Sequence, residues 1–231
     1  MPSCCYFIMT VQINKKIISF SEIPALAEES DKLVLMVRHS YRQSLQAGSL
    51  DPGLTEEGSA YARECGALLK GLHDTCYGSS ARKRTVETVQ NLMIGGGLEA
   101  GEIAIYPEIY DCSLFVAPEV LEEIIADHTI SGLLKSYFTT GKAPRMIDLA
   151  EYSSRLVDFL TGTVFPAKNV ILATHDVVVA SLLLPLNVYP FSLTDWCGYI
   201  HGALLYCKNG IWTVAYAVPN AADRRKTALF I

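Results

Sequence analysis

Arginine and histidine side chains stand at the end of an apolar run early in this sequence. Arg38 and His39 directly follow the residues LVLMV at 33–37, and Arg42 lies three residues further on. Guanidinium groups bind phosphate oxygens in pairs, and an imidazole titrates near neutral pH. This stretch alone therefore predicts either an anion-binding site or a solvated strand end.

Two further groups of polar residues follow apolar segments in the same way. Arg84 lies in GSSARKRTVET, after the segment DTCYGS, and His175 and Asp176 follow NVILAT at 169–174. If the three segments are parallel strands, their carboxyl ends meet at one rim of the sheet. Helices that begin at this rim add the partial positive charge of their N-termini. Together these features predict a pocket suited to phosphate.

Composition narrows the function further. The formal net charge of −5 argues against non-specific nucleic-acid binding. The seven cysteines are an odd number and form no C-x-x-C pair, which is typical of reduced thiols. The predicted pocket lacks the carboxylate clusters and the Cys/His spacings of metal sites. We therefore expect no metal and no other cofactor, with arginine supplying the positive charge.

The segments that position these residues alternate between strands and helices. Strands are predicted at 33–37, 103–106 and 169–174 and in DTCYGS, and helices at about 55–71, 81–94 and 147–161. The Asn209-Gly210 pair predicts a hairpin within the last segment, GALLYCKNGIWTVAYAV. This pattern is typical of an α/β fold whose sheet is largely parallel with an antiparallel edge.

The length of 231 residues fits a single domain, 1–231. Residues 1–31 are expected to form an N-terminal extension, with a hairpin in 6–20 around INKK. Residues 108–145 are expected to form a mostly helical insertion over the rim. The N-terminus has no basic segment before its apolar run, and the longest apolar stretch is interrupted by polar residues. These features predict a cytoplasmic protein without a membrane partner.

Four motifs in this sequence resemble those of the histidine phosphatase superfamily, which also contains the phosphoglycerate mutases. VRHSYR is similar to the R-H-G motif, with Ser40 in place of glycine, and SSARKRTVET is similar to S-S-P-x-x-R-[AT]-x-[EQ]-T. VILATHD matches the late histidine, and LTEEG matches L-T-x-x-G. The resemblance extends over residues 32–217. It implies a three-layer α/β/α sandwich with a largely parallel mixed sheet, like that of phosphoglycerate mutase.

The resemblance also implies a metal-independent mechanism with small phosphorylated substrates. His39 is expected to attack phosphorus and form a phosphohistidine that water hydrolyses. Arg38, Arg84 and His175 are expected to bind the phosphoryl oxygens, and Arg42 matches the second arginine of an R-H-G-x-R motif. Phosphoryl transfer needs this combination of in-line positioning and charge stabilisation.

The general acid has two candidates on this resemblance. Asp176 matches the H-D pair of the acid-phosphatase branch, and Glu108 stands about where the mutase branch has its glutamate. Asp176 is favoured because its neighbour His175 fixes its location, although it also suits a helix cap, and Glu108 a solvated loop.

The function itself also has alternatives. Phosphomonoester hydrolysis is expected first. A phosphomutase would use the same phosphohistidine, and a phosphate-binding protein would have lost its chemistry through Ser40.

Overall fold

The computed structural model describes residues 11–44, 51–117 and 130–220. In this part of the chain the strands are β1 Val11–Ser19, β2 Lys32–Arg38, β3 Thr75–Ser79, β4 Ala104–Ile105, β5 Asn169–Thr174, β6 Gly202–Lys208 and β7 Ile211–Val218. The α-helices described are α1 Ile23–Glu29, α2 Glu56–Leu68, α3 Lys83–Gly95, α4 Ile130–Thr140, α5 Leu149–Gly162 and α6 Asp176–Leu183. Strands and helices alternate as predicted.

The strands form one mixed sheet in the order β1-β7-β6-β2-β5-β3-β4. Neighbours are parallel except that β6 runs antiparallel to both β2 and β7. The predicted turn is present, with Asn209 and Gly210 both at positive φ (52° and 74°). The prediction of an antiparallel strand at the edge of the sheet is wrong. β1 pairs with the outer side of the β6–β7 hairpin, so the antiparallel strand β6 lies in the interior of the sheet.

The predicted hairpin around INKK is also wrong. These four residues lie inside β1, which pairs in parallel with β7 from Val11 opposite Trp212 to Ser19 opposite Val218. INKK lacks the glycine that tight hairpin turns favour, whereas the outer edge of β7 offers a row of backbone partners. Residues 6–10 of the expected hairpin lie outside the described residues.

Helices cover both faces of the sheet, and the predicted three-layer sandwich is confirmed. Leu33, Leu35 and Val37 of β2 face a core shared with α1, α2 and α3. Val34 and Met36 face the opposite core, to which α4, α5 and α6 contribute. The run LVLMV is thus buried on both faces, as a continuous apolar strand predicts. Each helix in the described part of the chain is too short or too polar to span a lipid bilayer.

The first predicted helix begins as its cap indicates, since the Thr55 hydroxyl accepts a hydrogen bond from the Gly58 amide (2.9 Å). The expected insertion at 108–145 is helical only in part. It contains short 3-10 turns at Pro107–Ile109 and Asp111–Leu114 and the helix α4. Residues 118–129 of this insertion lie outside the described residues.

Candidate active site

The carboxyl ends of three parallel strands meet at one point of the sheet. Arg38 at the end of β2 pairs with Thr174 at the end of β5, and Ser79 of β3 pairs with Ala173. The His39 amide then donates to the Thr174 carbonyl (2.9 Å), which holds His39 beside the residue that follows, His175. Sheet register therefore brings the predicted residues together.

The His39 ring is held by contacts on two sides. Its side chain is buried, and its ring lies 5.4 Å from that of His175, edge to face. His39 Nδ1 is 2.7 Å from the Ser40 carbonyl oxygen. Because a carbonyl oxygen only accepts hydrogen bonds, this contact assigns the proton to Nδ1. The lone pair of the neutral ring is then on Nε2.

Both histidines are held in the neutral form. Burial lowers the pKa of His39 well below its ordinary value. Electrostatic repulsion between a protonated His39 and the neighbouring His175, Arg38 and Arg84 lowers this pKa further. Burial also lowers the pKa of His175 well below its ordinary value, and the positive charges of Arg84 and the other nearby arginines lower this pKa further. A neutral imidazole keeps the Nε2 lone pair of His39 available at neutral pH.

Arg38 is buried and fixed from three sides. Its Nη1 donates to the Cys197 carbonyl, its Nη2 is 3.4 Å from Asp176 Oδ2, and its Cζ lies 4.1 Å from the centre of the Tyr199 ring. These contacts restrain the planar guanidinium group beside His39. Restraint before binding reduces the entropy that a bound phosphoryl group would otherwise cost.

Arg84 points into the site from the first turn of α3. Its two terminal nitrogens lie 3.5 Å from Asp51 Oδ1 and 3.5 Å from Asp111 Oδ2. Within the described part of the chain, Arg84 Nε and both ring nitrogens of His175 are buried without a hydrogen-bond partner. Buried polar atoms normally find partners, and Arg84 Nε together with the one N–H of a neutral His175 could donate to an anion such as a phosphoryl group.

Arg42 lies at the edge of this cluster. It is half-buried, and its Nη1 donates to the Gln43 carbonyl (3.1 Å). Its charge still lowers the pKa of both Arg84 and His175. The structure therefore brings Arg42 near the pocket, although it contacts the site less directly than Arg38 and Arg84.

Ser40, which departs from the family motif, faces away from the pocket. Its hydroxyl donates to the Gly58 carbonyl (2.7 Å) and its amide donates to Thr88 Oγ1 (3.0 Å). Gly58 is the glycine of LTEEG, and a Cβ there would meet the Tyr41 carbonyl oxygen at 2.1 Å. The serine thus ties the end of β2 to α2 and α3.

The Asp176 carboxylate contacts Arg38 and Trp196. Its Oδ2 lies near Arg38 Nη2 and accepts a hydrogen bond from Trp196 Nε1 (3.0 Å). Asp176 is also the first residue of α6, where a carboxylate is favourable. The contact with Trp196 could not be predicted from the sequence, since twenty residues separate the two side chains.

The loop after β4 brings into the pocket a carboxylate that is neither of the two candidate acids predicted from the sequence. The Glu108 side chain is exposed. Three residues later, Asp111 Oδ2 lies 3.5 Å from Arg84 Nη2 and 3.8 Å from His175 Nε2. Asp111 is therefore the carboxylate that this loop brings into the pocket, and the sequence reasoning missed it.

Contacts on both sides of Asp111 hold the loop in place. The Thr174 hydroxyl donates to the Ile109 carbonyl, and the Ser113 hydroxyl shares a hydrogen bond with Tyr152. The Ile109 side chain is fully buried. The segment IYPEIYDCS shows two acidic residues, Glu108 and Asp111, on either side of the apolar Ile109. Since Ile109 is buried, the two carboxylates can point in different directions, and the sequence alone does not tell which one enters the pocket.

Arg82 and Tyr199 were also missed as site residues. Arg82 Nε lies 3.4 Å from Asp111 Oδ1, and Tyr199 stacks over Arg38 with its ring 6.0 Å from that of His39. The motif SSARKRT contains two arginines, and the family pattern accounts only for the second. The pocket thus combines a buried imidazole, several groups that can donate hydrogen bonds to an anion, and a carboxylate, a set of groups that can support phosphoryl transfer.

Comparison with known proteins gives a consistent result. The family model of the histidine phosphatase superfamily (branch 1) matches residues 34–197. A search of curated proteins found no match.

Solved structures share the fold at low sequence identity. A phosphoglycerate mutase from Bacillus anthracis str. Sterne is 15% identical with a TM-score of 0.55, covering 83% of this chain and 95% of its own. A mycobacterial glucosyl-3-phosphoglycerate phosphatase is 17% identical with a TM-score of 0.51, covering 80% and 98%. A phosphoserine phosphatase from Entamoeba histolytica is 16% identical with a TM-score of 0.52, covering 84% and 99%. The predicted phosphoglycerate-mutase-like fold is confirmed.

Proposed function

The chain belongs to the histidine phosphatase superfamily, and on this premise we propose that it hydrolyses small phosphomonoesters through a phosphohistidine at His39. One observation carries the proposal. The Nε2 lone pair of a buried, neutral His39 lies in a cluster where Arg84 Nε and the two ring nitrogens of His175 have no hydrogen-bond partner among the described residues. A phosphoryl group would satisfy these donors and place phosphorus next to the nucleophile.

In the first step, Nε2 of His39 forms a bond to phosphorus while the ester P–O bond breaks. The leaving oxygen takes the bonding electrons and needs a proton. In the second step, a water oxygen attacks phosphorus, the N–P bond breaks, and its electrons return to Nε2. The Ser40 carbonyl, which accepts from Nδ1, stabilises the positive ring in the intermediate.

Asp111 is the general acid in this proposal, in place of Asp176 and Glu108. Asp176 Oδ2 already accepts from Trp196 and lies beside Arg38, so its role is to hold that guanidinium group. Glu108 is exposed, whereas Asp111 lies against Arg84 and His175. Asp111 gives its proton to the leaving oxygen and then takes one from the attacking water.

The charge balance of the pocket supports this assignment. The charged side chains near it in the described residues are Arg38, Arg42, Arg82, Arg84, Asp51, Asp111 and Asp176. The arginines outnumber the carboxylates by one, so a phosphate dianion leaves one negative charge uncompensated. A proton that a carboxylic acid gives to the leaving oxygen removes this surplus of negative charge.

The test is release of inorganic phosphate together with capture of the intermediate. Wild-type protein incubated with a ³²P-labelled phosphomonoester and quenched in base should retain label on histidine, and His39→Asn should retain none and lose turnover by orders of magnitude. Activity should persist in EDTA, because arginines supply the positive charge. Phosphate binding without release would favour the binding-protein alternative, and stable retention of label with transfer to a phosphoglycerate would favour a mutase.

A further inference from the structure

Arg82 stands at a position that the family motif leaves unspecified, and yet it contacts the carboxylate proposed as the acid. It is the residue before α3, and its guanidinium group lies between Asp111 and the ring of Tyr110. Arg82 Nε is 3.4 Å from Asp111 Oδ1, and Arg82 Cζ is 4.8 Å from the centre of the Tyr110 ring. Only 19% of the Arg82 side chain is exposed, so this contact is well shielded from solvent.

Asp111 uses its two oxygens for two different arginines. Oδ1 lies next to Arg82, whereas Oδ2 lies 3.5 Å from Arg84 Nη2 and 3.8 Å from His175 Nε2. Arg84 and His175 are the donors that the proposed function assigns to the phosphoryl group. Without substrate, one oxygen of Asp111 therefore occupies part of the position that a phosphoryl oxygen needs.

A phosphoryl oxygen and Asp111 Oδ2 compete for these donors, because both would accept from the same nitrogens and cannot occupy the same position. A bound phosphoryl group consequently displaces Oδ2 from Arg84 and His175. The contact between Oδ1 and Arg82 involves the other oxygen and a different arginine, so it can persist when Oδ2 moves. Tyr110 restrains the Arg82 guanidinium group by stacking against it.

Resting on the proposed phosphatase function, we propose that Arg82 is a positioning residue, which keeps Asp111 beside the pocket when the phosphoryl group displaces it from Arg84 and His175. The acid then remains near the leaving oxygen rather than turning into solvent. Arg82 acts on the reaction through Asp111 and not through the phosphoryl group. Loss of Arg82 should therefore matter most where the leaving group needs a proton.

A double-mutant cycle between Arg82→Gln and Asp111→Asn tests this role. The readout is the ratio of kcat/KM for an alkyl phosphate to kcat/KM for p-nitrophenyl phosphate, whose leaving group needs little protonation. Arg82→Gln should lower this ratio by about tenfold, and Asp111→Asn by about a hundredfold. Adding Arg82→Gln to Asp111→Asn should leave the ratio unchanged, since the residue that Arg82 positions is already inactive.

Equal losses on both substrates in Arg82→Gln, or additive effects in the double variant, would overturn the positioning role. Arg155→Gln is the matched control, because Arg155 forms an exposed pair with Glu151 (2.6 Å) on α5, away from the site. A melting temperature for Arg82→Gln close to that of Arg155→Gln verifies that the fold is intact. A wild-type protein inactive on both substrates would instead contradict the proposed function itself.

Displacement of Asp111 has its own measurement, titration with inorganic phosphate in a calorimeter. Asp111→Asn removes the competing charge and should bind phosphate several-fold more tightly than wild type at neutral pH, by about 1 kcal/mol. Asp148→Asn, at an exposed pair with Lys142, should leave the affinity unchanged. Unchanged or weaker phosphate binding by Asp111→Asn would show that its carboxylate does not compete for the pocket.

Discussion

The floor of the site and its walls are held in different ways. The floor consists of Arg38, His39 and His175 at the ends of β2 and β5, together with Arg84 in the first turn of α3, and all four residues are buried. The walls are the loop 106–117, which carries Asp111, and the strap 195–201, which carries Trp196 and Tyr199. Sheet register fixes the backbone of most of the floor, whereas the walls depend on tertiary contacts between distant segments.

The strap illustrates how much a wall depends on its contacts. Ile200 has φ of 61°, although left-handed backbone is unfavourable for a β-branched residue, and it is fully buried. Its amide donates to the Arg38 carbonyl (3.1 Å), and the His201 carbonyl accepts from the Arg38 amide (2.9 Å). The end of β2 thus holds the strap in a conformation that it would not adopt alone.

This difference predicts that floor substitutions affect all substrates alike, and the largest effect is expected at Arg84. Arg84→Lys should lower kcat/KM by about a thousandfold for alkyl phosphates and for p-nitrophenyl phosphate, because a single ammonium group cannot replace a planar fork. Steady-state kinetics with both substrates measure this. Lys83→Arg, at an exposed residue beside Arg84, controls for general effects on α3. Near-normal kinetics of Arg84→Lys would mean that Arg84 does not bind two phosphoryl oxygens.

Asp111 in the wall and Asp176 beside the floor should differ in how their loss depends on the leaving group. Asp111→Asn should lose about a hundredfold on alkyl phosphates and little on p-nitrophenyl phosphate, as expected for a general acid. Asp176→Asn should lose about tenfold on both, because it weakens the support of Arg38 rather than proton transfer. Parallel assays of the two variants and Glu108→Gln measure this. Selective loss on alkyl phosphates in Asp176→Asn or Glu108→Gln would transfer the acid role to that residue.

The same division explains how far the site could be predicted from sequence. All four floor residues could be predicted, because Arg38, His39 and His175 directly follow apolar runs that mark the ends of buried strands, and Arg84 stands in the motif SSARKRTVET. The walls could not, since Asp111 and Glu108 stand in one short loop and differ only in which side of the buried Ile109 they occupy. Periodicity does not determine the direction of side chains in a 3-10 turn.

Two fold errors have a related cause. The sequence predicts a hairpin around INKK although the turn chemistry there is weak, and it predicts an antiparallel edge from strands that alternate with helices before a final hairpin. In the structure, INKK lies in a strand and β6 lies in the interior of the sheet because β1 pairs with β7. These two strands are separated by most of the chain. Local sequence contains little information about such a pairing.

The buried floor histidines should make stability depend on pH. Both pKa values lie below the ordinary value, so the unfolded chain binds protons that the folded chain does not. Their contribution is fully present above the unfolded pKa of about 6.5 and is lost as pH falls below it, by up to about 1.4 kcal/mol per pH unit for each histidine. Urea unfolding at several pH values, in buffer without phosphate, measures this slope.

The double variant His39→Asn/His175→Asn should lose most of this dependence, because Asn does not titrate. His73→Asn, at an exposed histidine, should retain the wild-type slope. An unchanged slope in the double variant would indicate that other groups cause the acid sensitivity and that the floor histidines do not carry it.

The smallest effect is expected at Ser40, which supports the floor without facing the pocket. Ser40→Gly restores the family motif but removes the hydrogen bond to the Gly58 carbonyl and frees the backbone. The free energy of unfolding should fall by about 1–2 kcal/mol, whereas kcat/KM should stay within about threefold of wild type. Ser40→Ala separates the two terms, since it removes only the hydrogen bond. A large change in kcat/KM for Ser40→Gly at the same stability as Ser40→Ala would mean that the serine backbone itself shapes the pocket, and the floor would then depend on more than sheet register.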